Sequence, residues 1–343
     1  SALKTSVGQA RPAAPTELSA APGNGLAYLA WKPPISTVTQ YVITPYLNGV
    51  AQPEIAAPSG SSSYTVPGLV KGGNYRFTVA AQNCLGTGQA TDKSNNVVPT
   101  GVQLNDSDSP AETSRLTDRM STDVNTFSGN LSVVNRDVAV KGTGLDLDVT
   151  RTYNNRADTT SIFGNGWSVS GGTDVRLAVQ ADGSVLLTRP GGAEAGFARK
   201  EDGTFASPSG IDATLTKNGD NTYTLSYHFT GEKWRFSTTG TLTSRTDRNS
   251  NAITYSYGGP GGTLSSITDT QNRVTSLAYN AANLVASVTD PAGRLHQYGY
   301  DAAKNLTTYT DPATGVTTYT YNANKDLTRI TTPAGRLAAV AIG

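Results

Sequence analysis

Cysteine is almost missing: Cys84 is the single one in 343 residues, which excludes an internal disulfide framework and a thiolate zinc cluster. Histidine is scarce as well, with two copies, His228 and His296. Neither lies in a His-rich metal motif, and no Gly-x-Ser-x-Gly elbow or phosphate loop accompanies them, so no enzyme, cofactor or metal is expected. No apolar run approaches the roughly 18 residues of a membrane-spanning helix. The amino terminus lacks the basic-then-apolar order of a signal peptide, so Ser1 reads as a processing boundary. Charge is low too, at 15% of residues, with 27 basic against 26 acidic. Without a basic run there is little to neutralise a phosphate backbone, which argues against nucleic acid as a partner. What is plentiful is glycine (36) and tyrosine (16), with many Ser and Thr, a mixture suited to short strands and tight turns. A chain of this length exceeds a single core, so two or three folding units are expected.

From Pro12 to about Pro99, strand-like runs alternate with Pro/Gly/Asn/Ser turns at the rhythm of a small β-sandwich. Gln40-Tyr-Val-Ile-Thr-Pro-Tyr46 and Asn74-Tyr-Arg-Phe-Thr-Val-Ala-Ala81 show period-two alternation. Trp31 is placed to fill the core. Pro15, Trp31, the stretch from Leu69 to Gly73 and Tyr75 resemble the opening proline, core tryptophan and tyrosine corner of fibronectin type III domains. The resemblance implies that the Tyr75 hydroxyl turns back to the chain near Leu69, and that the domain serves as a spacer or docking module. Cys84 is expected to be a small buried apolar residue.

Residues 101–117 read as a polar linker. Asp106, Asp108 and Glu112 offer hard oxygens for calcium, but their spacing lacks the glycine and full ligand set of an EF-hand. Further on, Leu145, Leu147 and Val149 alternate with Asp146, Asp148 and Thr150, so the carboxylates fall on a solvated strand face. Three motifs follow one another: Gly129-Asn-Leu131, Arg151-Thr-Tyr-Asn154 and Phe163-Gly-Asn-Gly-Trp167. Gly164 and Gly166 permit a sharp bend that turns Trp167 inward. Asp-Gly and Asn-Gly pairs at 182–183, 202–203 and 218–219 then predict a hairpin meander.

The carboxyl-terminal third repeats itself. Asp247, Asp269, Asp290 and Asp311 lead units that end in Tyr257, Tyr279, Tyr300 and Tyr321, and a fifth unit begins at Thr332. Intervals of 22, 21 and 21 residues between those Asp residues fit two short strands and two turns, one hairpin per repeat. Asp290-Pro-Ala-Gly293 supplies a turn, Gly293 taking its left-handed position. Tyr279, Tyr300 and Tyr321 occupy equivalent positions and are expected to stack as an aromatic ladder. His296 stands where the next repeat has Thr317, and reads as a variable face residue.

These repeats, with Tyr300-Asp301 and its variants Tyr279-Asn280 and Tyr321-Asn322, resemble the YD repeats of Rhs proteins, wall-associated proteins, toxin-complex shells and teneurins. The three earlier motifs are similar to the lead-in region of the same family. The resemblance implies a β-ribbon that spirals into a shell around a toxin tethered at its carboxyl end. The expected architecture is therefore all-β: a tail (1–11), a fibronectin type III β-sandwich (12–100), a linker (101–117), a lead-in of hairpins (118–240) and a YD-repeat ribbon (241–343) that four to five repeats leave incomplete. Leu337 to Gly343 stops mid-strand and reads as the edge of a fragment. Expected partners are the remainder of its own chain and a protein or carbohydrate at the cell surface, in an extracellular, secreted or wall-associated setting. Structural roles fall to Trp31, Leu69, Tyr75, Trp167, Asp269, Tyr279, Asp290, Gly293, Tyr300, Asp301, Asp311 and Tyr321. A rival reading, an adhesin or glycan-binding module, would use exposed rings at Tyr298, Tyr309 and Tyr319.

Overall fold

The structure, a computed structural model, describes residues 10–23, 25–70, 73–99, 111–125, 131–155, 157, 160–180, 183–200, 202–208, 211–335 and 337–339. Asp106, Asp108, Gly129, Asn130 and the final residues 340–343 lie outside them, as does the side chain of Glu112. The described residues are strands, turns and three short 3₁₀ turns, and none forms a helix long and apolar enough to cross a membrane. The chain divides into two compact units, the first combining residues 1–100 with Val179–Leu186 and Ala195–Asp212.

In the first unit two sheets face each other. Thr16–Gly23, Leu26–Lys32 and Ser63–Val66 form one; Gln40–Leu47 and Tyr75–Asn83 centre the other. Alternation places Leu29, Trp31, Tyr41, Ile43, Phe77 and Val79 in the shared core. Trp31 and Tyr41 rings meet at 5.1 Å. Tyr75 closes the corner: its hydroxyl accepts the Val70 N–H at 3.0 Å, while Leu69 N–H bonds the Gly25 carbonyl. Cys84 departs from expectation. It sits exposed just past the strand Tyr75–Asn83, because the turn into Gly86–Ala90 carries it off the core-facing phase.

The second unit holds a five-stranded sheet in the order Trp167–Val169, Leu147–Asn154, Leu131–Val140, Met120–Asn125, Ala111–Arg115. Part of the expected linker is thus a strand, since Ala111–Arg115 pairs in register with Met120–Asn125. A 13-stranded sheet runs in strict sequence order from Ala213–Lys217 to Leu337–Ala339. All its neighbours described by register are antiparallel, and no break falls between residues 240 and 241.

One turn design closes the repeat hairpins. The leading Asp or Asn accepts two backbone N–H groups on its own Oδ1, as Asp290 does from Ala292 (2.9 Å) and Arg294 (3.0 Å). Asp247, Asp269, Asn280, Asp311 and Asn322 repeat the pattern. Three residues on, the chain takes positive φ: Ser250, Asn272, Asn283, Gly293, Lys304, Thr314 and Lys325. The aspartate of Tyr300-Asp301 therefore opens the same turn as the leading aspartate of Asp290-Pro-Ala-Gly, at the opposite end of the hairpin.

Each repeat also carries one register shift, between Ser256/Tyr257, Ala278/Tyr279, Gly299/Tyr300 and Thr320/Tyr321. Such bulges bend a strand and increase its twist. The tyrosines at the shifts do not stack as a ladder. They lie on alternate strands, two spacings or roughly 9.5 Å apart, too far for ring contact. Each hydroxyl is used instead: Tyr257 donates to the Leu242 carbonyl (2.5 Å), Tyr279 to Leu264 and Tyr300 to Val285 (2.8 Å).

Candidate functional site

Two of the lead-in motifs, Arg151-Thr-Tyr-Asn154 and Phe163-Gly-Asn-Gly-Trp167, meet the repeats within the second unit; the first lies mostly outside the described residues. Gly164 (φ +93°) and Gly166 (φ +71°) make the bend: a Cβ on the first would sit 2.4 Å from the Lys304 carbonyl oxygen, and on the second 2.7 Å from the Tyr153 ring. Backbone thus approaches backbone, and Asn165 N–H bonds Lys304 O. Trp167 turns inward, 0% exposed, and its indole N–H donates to the Tyr321 hydroxyl at 3.0 Å. Trp167 meets Tyr319 edge-on at 5.3 Å, and Phe163 meets Tyr298 at 5.0 Å. The Tyr153 hydroxyl accepts the Leu327 N–H at 2.9 Å, while burial pushes that phenol up to about 12.

At the centre lies an ion pair with both side chains fully buried, Asp137 and Arg151. Leu131, Val133 and Asn135 share the buried phase of one strand and Leu147, Val149, Arg151 and Tyr153 that of its neighbour, and a register shift between Arg136 and Val138 buries Asp137 alongside Val138. Arg151 donates from Nε (2.5 Å) and Nη2 (3.0 Å). Asn135 Nδ2 (2.9 Å) and the Tyr298 hydroxyl (2.7 Å) complete four hydrogen bonds to the carboxylate. Around the guanidinium stand the rings of Trp167, Tyr298, Tyr309, Phe163 and Tyr319, at 4.8 to 5.9 Å. Burial alone would pull the guanidinium down, but the Asp137 charge holds it well above its ordinary value. Tyr298 is raised in turn, by burial and then by Asp137. Buried ion pairs are costly to form and more costly to break singly, so the junction fastens the sheets in one arrangement. The carboxylate is fully engaged and sealed from solvent.

The rings offered as glycan contacts belong to this junction. Tyr298, Tyr309 and Tyr319 are 7%, 7% and 3% exposed, which corrects the expectation of exposure: in each repeat the residue two before the strand-end tyrosine points to the inner face. His296 is corrected likewise, being 1% exposed, with Nδ1 2.9 Å from the Tyr309 hydroxyl. Asp269 and Asp290 are buried turn residues that bind Arg273 and Arg294. Burial opposes their ionisation, but the backbone N–H groups they accept hold both carboxyls below the ordinary range. Asp146 lies on a solvated strand end beside Lys141, as read. Neither Asp137 nor the burial of Arg151 was singled out from sequence: the two phases of Leu131–Val140 are equally apolar, and the register shift between Arg136 and Val138 decides which side chains turn inward. Among the described residues no three His, Cys, Asp or Glu come together as a metal site.

Against known families, residues 13–97 match the fibronectin type III domain, 121–197 match a domain of unknown function, DUF6531, and 260–295 and 300–337 match the RHS repeat. The chain is similar to the tRNA3(Ser)-specific nuclease WapA of Bacillus spizizenii, 28% identical over 184 residues, which is 54% of this chain. It is also similar to the tRNA nuclease WapA of Bacillus subtilis, 27% identical over the same length. The chain spans 8% of the length of these relatives. Among solved structures, the FN5 domain of Drosophila Lar is 24% identical, covering 26% of this chain and 98% of that one, with a TM-score of 0.23. The chain therefore joins a fibronectin type III domain to a DUF6531 segment and RHS repeats.

Proposed function

We propose that this chain is a non-catalytic wall segment of a secreted or surface Rhs-type protein, whose repeats help build a shell around a toxic domain carried further along the same polypeptide. The observation that carries this reading is the fate of the inner tyrosines. Tyr298, Tyr309 and Tyr319 pack against Phe163, Trp167 and Arg151, so the repeats' aromatic face serves wall construction rather than ligand capture. The names of the Bacillus relatives suggest an RNA-cleaving cargo. The fibronectin type III domain acts as a docking module at the amino-terminal side. Electron microscopy of the full-length polypeptide, paired with a nuclease assay before and after limited unfolding, tests this. A closed shell with internal density and latent activity is expected. An open ribbon that binds glycans, with its activity already expressed, overturns the reading in favour of an adhesin.

A further inference from the structure

We propose that His296 makes the junction acid-sensitive: below neutral pH its protonation puts a buried positive charge against the Tyr309 ring and weakens the contact between the repeats and the lead-in sheet. His296 is 1% exposed on the strand Leu295–Tyr300. Its ring stacks on Tyr309, 6.1 Å between centroids and 14° from parallel. Tyr309 in turn lies 5.1 Å from the Arg151 guanidinium, and Tyr298, two residues along, holds Asp137. At the equivalent place the neighbouring repeats have Thr275 and Thr317, neutral and buried. Only this repeat puts a titratable group there.

The neutral ring fits its setting and the charged ring does not. Nδ1 has Tyr309, but Nε2 is buried with no hydrogen-bond partner among the described residues. The charged ring donates at both nitrogens whichever tautomer precedes it, and the donor on Nε2 has nothing to accept it, at the cost of an unsatisfied charged group. Asp137 already has four hydrogen bonds. Of the charged groups facing the ring, Asp137 and then Asp290 favour the cation, while Arg119 and Arg294 oppose it. Burial outweighs them all and lowers the imidazole from its ordinary value. A folded-state value below the unfolded one of about 6.5 means that this contribution to stability is intact above that pH and is lost as pH falls below it. Asp269 and Asp290, depressed in the folded state, are lost only below about pH 4. Asp174 acts the other way: burial raises it to about 6, so its contribution grows on acidification. The acid sensitivity stands on the junction alone; that it would release an enclosed domain rests on the shell reading.

The test uses the 343-residue chain. With two histidines in the sequence, ring NMR signals separate His296 from the exposed His228, assigned through His228→Asn. The His296 signal is expected to stay in its neutral form as pH falls through the value of about 6.5 at which an unfolded-chain histidine charges, for as long as the fold persists. In urea unfolding, the folding equilibrium constant of the unsubstituted chain should fall about tenfold more between pH 7 and pH 5 than that of His296→Thr; His296→Gln serves if the threonine variant does not fold. A His296 midpoint at or above about 6.5, or equal pH slopes in chain and variant, overturns the proposal without touching the shell reading.

Discussion

The core of the fibronectin type III domain is filled by Leu29, Ile43, Phe77 and Val79, and its corner hydroxyl, that of Tyr75, meets one backbone N–H. The interior of the second unit is built otherwise, around a guanidinium, a carboxylate, an imidazole and three phenols. An apolar core tolerates exchange of one hydrocarbon for another at the cost of a cavity. A charged junction is stable only while each member keeps its partner. The largest expected effect follows. Asp137→Ala should destabilise the second unit by about 3–5 kcal/mol, because it strands Arg151 among aromatic rings. Phe77→Ala should cost about as much in the sandwich, through a void. What separates them is rescue. Asp137→Leu combined with Arg151→Met should recover most of the loss, since an apolar pair of similar volume replaces the ion pair. Hydrogen exchange across the strands of both units measures each change in place. A double variant no more stable than Asp137→Ala would show that the ion pair fixes the fold and not merely its stability.

A single substitution made in both regions sharpens the contrast. Tyr298→Phe removes a hydroxyl donated to a buried carboxylate and should cost about 2 kcal/mol, whereas Tyr75→Phe removes a neutral hydrogen bond and should cost about 1 kcal/mol. Equal losses would mean that the network around Asp137 redistributes its hydrogen bonds to Arg151 and Asn135.

The sandwich was legible because its signals are local. Period-two alternation placed Tyr41, Ile43, Phe77 and Val79, and the corner needed Tyr75 five residues after Val70. The repeat was legible from spacing, down to the turn at Asp290 and the inward bend to Trp167. The junction was not, because its members are far apart in sequence: Asp137 and Tyr298 meet across 161 residues and Arg151 and Tyr319 across 168. Nothing local tells that the buried phase of Leu131–Val140 will cover the inner face of a repeat. Tyrosine misled for a related reason. Its ring suits both a sugar platform and a core, and only the bulge at each strand end, invisible in sequence, decides which rings turn inward.

The smallest effect concerns the turns. Thr314, β-branched and at φ 68°, holds the left-handed place that Gly293 holds one repeat earlier. A threonine there carries a steric penalty of roughly 1–2 kcal/mol, partly offset by the greater freedom glycine brings to the unfolded chain. Thr314→Gly should therefore stabilise the repeat sheet by about 0.5 kcal/mol, seen as a small rise in its thermal midpoint, and Gly293→Thr should lower it by a similar amount. The two turns share their aspartate cap, Asp311 and Asp290 each accepting two backbone N–H groups near 2.9 Å, so the exchange isolates the backbone conformation. Unequal responses would place the difference in the residues that follow, Arg294, whose side chain bonds Asp290, and Gly315, which has none to offer Asp311.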